Sequence, residues 1–173
     1  MKGSCPMKPV ANQPLLPVVE YKPAYHVVGI KEVHTLVPGQ PMTSIADQWA
    51  RFMQRIQEIT GREAGAPTMG VCLSSPDGKP FDYVTGAVVP ESSSSVPQGM
   101  DRWTLAPHTY AVFTHRGPIS QLDGTYAAIH QWLNENDAYV RAQAPEMEFY
   151  DHRYISMEAA DNEFDIYVPV TRK

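Results

Sequence analysis

"YAVFTHRGPISQLDGTYAAIHQWL", residues 110–133, carries two periodicities and the joint between them. Its first part is rich in aromatic and β-branched residues and reads as a strand. Gly117 and Pro118 punctuate it, and proline suits the first turn of a helix because its missing N–H is not needed there. Ile119, Leu122, Tyr126, Ile129 and Leu133 then recur at three- and four-residue steps, one apolar stripe of an amphipathic helix. Upstream, "RWTLAPHTYAVFTHRG" gives a strand, a break at Pro107 and a second strand. Downstream, "EMEFYDHRY" (146–154) and "EFDIYVPV" (163–170) add two more strands.

The first half repeats this order. "VVEY" from Val18 and "YHVVGIKEVHT" (25–35) are β-rich runs separated by a proline. A helix follows, with Thr43 or Ser44 as its cap and Ile45, Trp49, Phe52, Ile56 and Ile59 on one face before Gly61. "TMGVCLSS" (68–75) and "FDYVTGAVV" (81–89) are strands joined by the turn chemistry of "PDGKP". Strand, helix, strand, strand thus occurs twice, over 18–90 and 102–171, with little literal identity between copies. Residues 1–17 form a Pro-rich lead-in without periodicity. The expectation is a single α+β domain: two pseudo-twofold-related units joined in a curved antiparallel sheet, both helices on one face and a cleft on the other.

Composition removes several function classes. The 173 residues carry a formal net charge of −5, so there is no basic footprint for nucleic acid. The lead-in is too short, and too rich in proline, for a DNA-reading helix-turn-helix. No apolar run is long enough to cross a membrane, and the first residues lack a secretion signal. Cys5 and Cys72 match no metal or redox spacing, and the six histidines are dispersed, so no metal and no cofactor is expected. A reducing cytoplasm is the expected setting. There is no glycine-rich phosphate loop and no G-x-S-x-G nucleophile. His115 in "THRG" reads as a tether for the strand-to-helix turn.

One segment resists a purely structural reading. In 145–154, "PEMEFYDHRY", a strand would set Glu146, Glu148, Tyr150, His152 and Tyr154 on one face and Met147, Phe149, Asp151 and Arg153 on the other. Glu148 lies between Met147 and Phe149 in a stretch that otherwise looks buried. Either this strand has a wet face, or the carboxylate faces something other than water.

Taken in order, "VVGIKEV", "QWARFM", "MGV", "YVTGAVV", "PHTYAVFTHRGPISQLDGTYAAIHQWL", "PEMEFYD" and "DIYVPV" resemble the GyrI-like small-molecule-binding domain. That domain is also the effector-binding module of AraC- and MerR-type transcription activators. The resemblance runs from about residue 18 to 171 and is most specific in the second half, where "YAVFTHRG" is followed by a helix ending in "WL" and then by P-x-x-E-x-Y at Pro145, Glu148 and Tyr150. It implies a hydrophobic pocket between the two units with an acidic residue inside, meeting lipophilic cations. By that resemblance Glu148 is the acidic residue and Tyr150 its neighbour on the same face. An organic cation supplies charge and apolar surface together, which matches a carboxylate held among aromatics.

Further lining residues are Trp49 and Phe52, where the family's W-x-x-F pattern falls, with Phe52 assigned to the core and Trp49 to the cleft. Trp103, Tyr110 and Tyr83 can each offer a ring, whereas Tyr126 and Trp132 read as packing. Met69 stands where relatives often carry tyrosine, a change that removes a hydroxyl and a ring. The leading expectation is a standalone small-molecule-binding protein. The second, implied by the resemblance because some standalone relatives have this activity, is a hydrolase of cyclopropane-bearing genotoxic compounds, with Glu148 as general base helped by Tyr110 or Tyr150. The third is inhibition of DNA gyrase by protein contact, an activity carried over from the family alone.

Overall fold

Pro23 and Pro107 each divide a long extended run into two strands, and the second strand of each run joins a different part of the sheet. The computed structural model describes residues 14–37, 43–74 and 80–173. In order these form β1 (Val18–Lys22), β2 (Tyr25–His34), α1 (Thr43–Arg55), β3 (Thr68–Cys72), β4 (Phe81–Val89) and β5 (Asp101–Leu105). Then come β6 (His108–Arg116), α2 (Leu122–Glu135), β7 (Tyr139–Arg141), β8 (Glu146–Tyr150) and β9 (Glu163–Arg172). Residues 1–13 of the lead-in, residues 38–42, the side chain of Thr43 and residues 75–79, where the sequence places a turn, lie outside the described residues. No helix of the described residues is long and apolar enough to cross a membrane.

The strands make one antiparallel sheet in the order β1-β6-β9-β8-β3-β4-β2-β5, with β7 added beside β9. Equating β1, β2, α1, β3 and β4 with β5, β6, α2, β8 and β9 shows the consequence. Exchanging each strand for its counterpart reads the order backwards, so a pseudo-twofold axis runs between β3 and β8. The first strand of each unit is also traded: β1 pairs with β6 and β5 with β2. The α+β duplicated layout read from the periodicities is therefore the one observed.

Both helices cover the same face. Cross-strand neighbours Ile30, Thr85, Gly70, Glu148, Ile166 and Phe113 form one row across the sheet. Registered partners point to the same side. At one end of that face Phe52 and Ile56 pack with Val28, Ala87 and Val89; at the other, Ile129 packs with Ala111, Phe113, Phe164 and Ile166. The opposite face carries one continuous cluster, including Val27, Met69, Val71, Val84, Leu105, Tyr110, Met147 and Tyr167. Phe52, assigned to the core from sequence, is fully buried.

The strands that precede the helices, β2 and β6, each carry at or next to their end a buried histidine that ties them to the following helix. His34 meets Ser44 Oγ through Nδ1 at 2.9 Å and Gln48 Oε1 through Nε2 at 2.6 Å. His115 meets Thr125 Oγ1 at 2.7 Å through Nδ1, and Nε2 faces the carbonyls of Gly117 and Pro118 at 3.1 and 3.2 Å. Nε2 is thus the donor in both rings. The tether expected of His115 exists, and His34 is its counterpart. Ser44 spends its hydroxyl on this tie, inside the first turn of α1.

Two local readings need correction. β8 stops at Tyr150 and does not run to Tyr154, because the Asp151 carboxylate accepts both the backbone N–H and the guanidinium of Arg153, at 3.0 and 2.9 Å, and turns the chain. Asn162 Oδ1 then accepts the N–H groups of Ile155 and Ser156 at 2.8 and 3.2 Å and holds the returning loop. β7 had no counterpart in the sequence reading: three residues are too few for a period to show.

Where β2 and β4 cross, Gly29 sits opposite Gly86. A Cβ on Gly29 would lie 1.9 Å from the Thr85 carbonyl oxygen, which is backbone and cannot rotate away. Gly29→Ala should therefore destabilise the fold by about 3 kcal/mol or more, read as the shift in a urea midpoint.

Candidate functional site

β8 alternates strictly, so Glu146, Glu148 and Tyr150 point to the helix-bearing face and Met147 and Phe149 to the other. Glu148 is the middle residue of β8 and pairs with Gly70 at the junction of the two units. α1 stands to one side of it and α2 to the other.

Three tyrosine hydroxyls converge on this carboxylate. Tyr150 donates to Oε2 at 2.5 Å and Tyr126 to Oε1 at 2.9 Å, while Tyr83 reaches Oε2 at 3.4 Å. The Trp49 indole N–H in turn donates to the Tyr83 hydroxyl at 3.1 Å. Trp49 and Tyr150 meet edge to face with ring centroids 5.3 Å apart, and Tyr150 lies 4.6 Å from the Phe164 ring. The donors come from both units: α1 and β4 on one side, α2 and β8 on the other.

Each arrangement has a local cause. Tyr83 crosses the sheet above Gly70, where a Cβ would stand 2.1 Å from its hydroxyl oxygen. Glycine at position 70 therefore lets the phenol reach the carboxylate. Trp49 and Tyr126 each follow the residue that meets the strand-end histidine, Gln48 and Thr125 respectively. The two ties rotate α1 and α2 so that one aromatic ring from each leans toward the centre. Gln48 is anchored further by bonds to the carbonyls of Ile30 and Tyr83, at 2.9 and 3.0 Å.

The electrostatics single out one of two acidic neighbours. Glu146, on the same face, is paired with Arg141. None of the ion pairs among the described residues includes Glu148. Burial pushes its carboxyl above the usual range; the Tyr150 and Tyr126 hydroxyls oppose that rise, and the Glu146 charge adds to it. Burial first, then the Glu148 charge, pushes the phenols of Tyr83, Tyr126 and Tyr150 well up, so they remain donors. Glu148, Trp49, Tyr126 and Tyr150 nevertheless each keep part of their surface accessible. The centre lies deep in the protein and still touches water.

The residues expected at the site fall on both faces of the sheet. Glu148, Tyr150, Trp49 and Tyr83 come together as described. Met69, Trp103 and Tyr110 belong to the cluster on the opposite face, with Tyr25, Phe149 and Tyr167. The sheet lies between them and Glu148, so Tyr110 cannot share a substrate atom with that carboxylate. The acidic centre also lies on the helix-bearing face, between α1 and α2, and not on the face away from the helices. Tyr126, read as packing, is a direct partner of Glu148. Its place as the counterpart of Trp49 shows only in the structure, through the equivalent histidine ties of the two helices. Two open depressions lie apart from this centre, one beside Thr114, Gln121 and Thr125, the other beside Pro118, Ile119 and Met157. Neither is lined by Glu148. Among the described residues no cluster of His, Cys, Asp or Glu is arranged to hold a metal ion.

The raised carboxyl has a consequence for stability. Ionising Glu148 is harder in the folded chain than in the unfolded one, so the fold loses stability as pH rises through its folded-state value. Glu148→Gln should be more stable than the parent at neutral pH. The advantage should vanish below the ordinary glutamate range; melting temperatures across a pH series check the sign.

Comparison with known proteins completes the description. A family model for the GyrI-like small molecule binding domain matches residues 17–171. The transcriptional regulator BrlR of Pseudomonas aeruginosa is 33% identical over 149 residues, covering 86% of this chain and 53% of BrlR. The chain thus spans about half the length of that relative. Among solved structures, SAV2435 bound to tetraphenylphosphonium aligns with a TM-score of 0.70 at 23% identity, over 90% of this chain and 93% of that one. EcmrR, solved with DNA, aligns with a TM-score of 0.70 at 15% identity, over 92% of this chain and 59% of that one. At such identities these two structures speak for the fold.

Proposed function

The chain belongs to the GyrI-like small-molecule-binding family, and we propose that its ligand is a lipophilic organic cation held against Glu148 by the rings of Trp49, Tyr126 and Tyr150. One observation carries the reading: a deep carboxylate, made hard to ionise by burial, with no cationic partner among the described side chains. An exogenous cation removes that cost, and ring faces around it add cation–π attraction. Tetraphenylphosphonium, the ligand in the SAV2435 structure, has this chemistry: one positive charge inside an apolar skin. Because Trp49 and Tyr150 already touch, a ligand of several rings has to part them.

At 5 Å and an effective dielectric of about 20, one charge pair is worth about 3 kcal/mol. Glu148→Gln should therefore weaken tetraphenylphosphonium binding by roughly 10- to 100-fold in a calorimetric titration. Equal affinity in parent and variant would remove Glu148 from the site. Affinity should also rise with pH through the carboxylate's titration, because the cation selects the ionised form.

The three indoles give an independent check. Trp49 is in the centre, Trp103 is on the opposite face, and Trp132 packs on Phe113 and Tyr139. Ligand quenching of fluorescence should survive Trp103→Phe and Trp132→Phe and disappear in Trp49→Phe. Glu148 as the general base of a hydrolase is the second reading. It draws on the same high affinity for protons, but without Tyr110, and against three hydroxyl donors that lower basicity. Loss of a cyclopropane-bearing compound, followed by mass spectrometry in the parent and absent in Glu148→Gln, would favour it.

A further inference from the structure

Resting on the reading above, we propose that the Glu148 centre selects cations without N–H donors, namely quaternary ammonium and phosphonium ions, and discriminates against primary ammonium groups. The argument is a count of acceptors. Two carboxylate oxygens offer about four lone-pair directions. Oε2 already accepts from Tyr150 and Tyr83, and Oε1 accepts from Tyr126. That leaves about one direction, on Oε1. The Tyr83 oxygen is itself occupied by the Trp49 indole N–H. Beyond this carboxylate, the Glu146 carboxylate on the same face is taken by Arg141, and the phenol oxygens of Tyr126 and Tyr150 are neutral and weak. The rest of the lining named above is ring face.

A primary ammonium leaves water with three N–H donors to satisfy, and a donor left unpaired in a buried site costs affinity. Among the protein groups around the carboxylate, it could regain a charged acceptor only by expelling one of the tyrosine hydroxyls. Two of those hydroxyls are not free to swing away. Tyr83 is threaded over Gly70, and Tyr126 rides on a helix tied through Thr125 to His115. A quaternary ion has no such requirement. It gains the field of the carboxylate and the ring faces without competing for any oxygen that the three hydroxyls occupy. The hydroxyl set thus turns Glu148 into a negative charge that offers little hydrogen bonding.

The test compares two singly charged probes that share one tail, phenylbutyltrimethylammonium and phenylbutylammonium, by calorimetry at neutral pH. Methyl groups add apolar area, so the decisive quantity is how their affinity ratio changes in Tyr126→Phe. That substitution releases the Oε1 lone pair while keeping the ring. The trimethyl probe should bind more tightly to the parent. In Tyr126→Phe the primary ammonium should gain on it by at least about fivefold, the worth of one ordinary hydrogen bond. Tyr150→Phe, which frees Oε2, is a second variant with the same expected direction. An unchanged or wider ratio in the folded variants, or a primary ammonium that binds the parent as tightly as its trimethyl partner, overturns the selectivity. Tetraphenylphosphonium is titrated alongside. If it binds through Glu148 while the ratio fails to move, the selectivity alone is wrong. If it does not bind, the cation reading fails and takes the selectivity with it.

Discussion

The β3–β8 ladder is the constraint on which the rest of the molecule depends. Thr68–Cys72 and Tyr150–Glu146 pair in register at the pseudo-twofold axis, and each half of the sheet extends outward from them. Because side chains alternate along a strand, a slip of one residue would turn Glu148 to the opposite face and bring Phe149 up between the helices. The register is held from both sides. Met69, Val71 and Met147 are buried in the apolar cluster on one face, and Gly70 leaves room for Tyr83 on the other. One ladder therefore determines both how the halves join and where the carboxylate points.

Around that ladder the two units contribute unequal chemistry from equivalent places. Each has a strand-end histidine tied to its helix, and each helix then presents an aromatic ring, Trp49 or Tyr126. The first unit supplies an indole, a phenol and a glycine near the axis; the second supplies the acid and two phenols. The pseudo-symmetry gives a frame in which a single charge can be surrounded from both sides. The contrast between Glu146 and Glu148 shows how burial is handled within one strand. Glu146 has Arg141 as its counterion, so its charge is matched inside the protein. Glu148 has only dipoles, which moderate the cost of its charge without cancelling it.

The duplicated layout was legible because its signals are local. The helical stripe of Ile119, Leu122, Tyr126, Ile129 and Leu133, the prolines that divide the strands, and the glycines near the helix ends all act within a few residues. Parity along 146–150 was equally legible, and it correctly set Glu148 apart from its apolar neighbours. The role of Tyr126 was not. Spacing on a helix puts it in line with core residues, and a ring that reaches a carboxylate has the same period as one that fills a core. Met69, Trp103 and Tyr110 were grouped with Glu148 for the converse reason: each is an apolar or aromatic residue in a strand, and nothing in a single strand tells which face of the sheet it will share.

By itself, then, the sequence determined the two helices and the long strands, that the order occurs twice, and that one acidic residue interrupts an apolar strand. These follow from propensity and period, which are properties of neighbouring residues. The tertiary structure decided the trading of β1 and β5 between units, the common face of Glu148 and both helices, and the convergence of three hydroxyls on one carboxylate. Those depend on register between strands distant in the chain, and on the rotation of two helices about their histidine ties. Such relations exist only once the backbone hydrogen bonds of the sheet have been made.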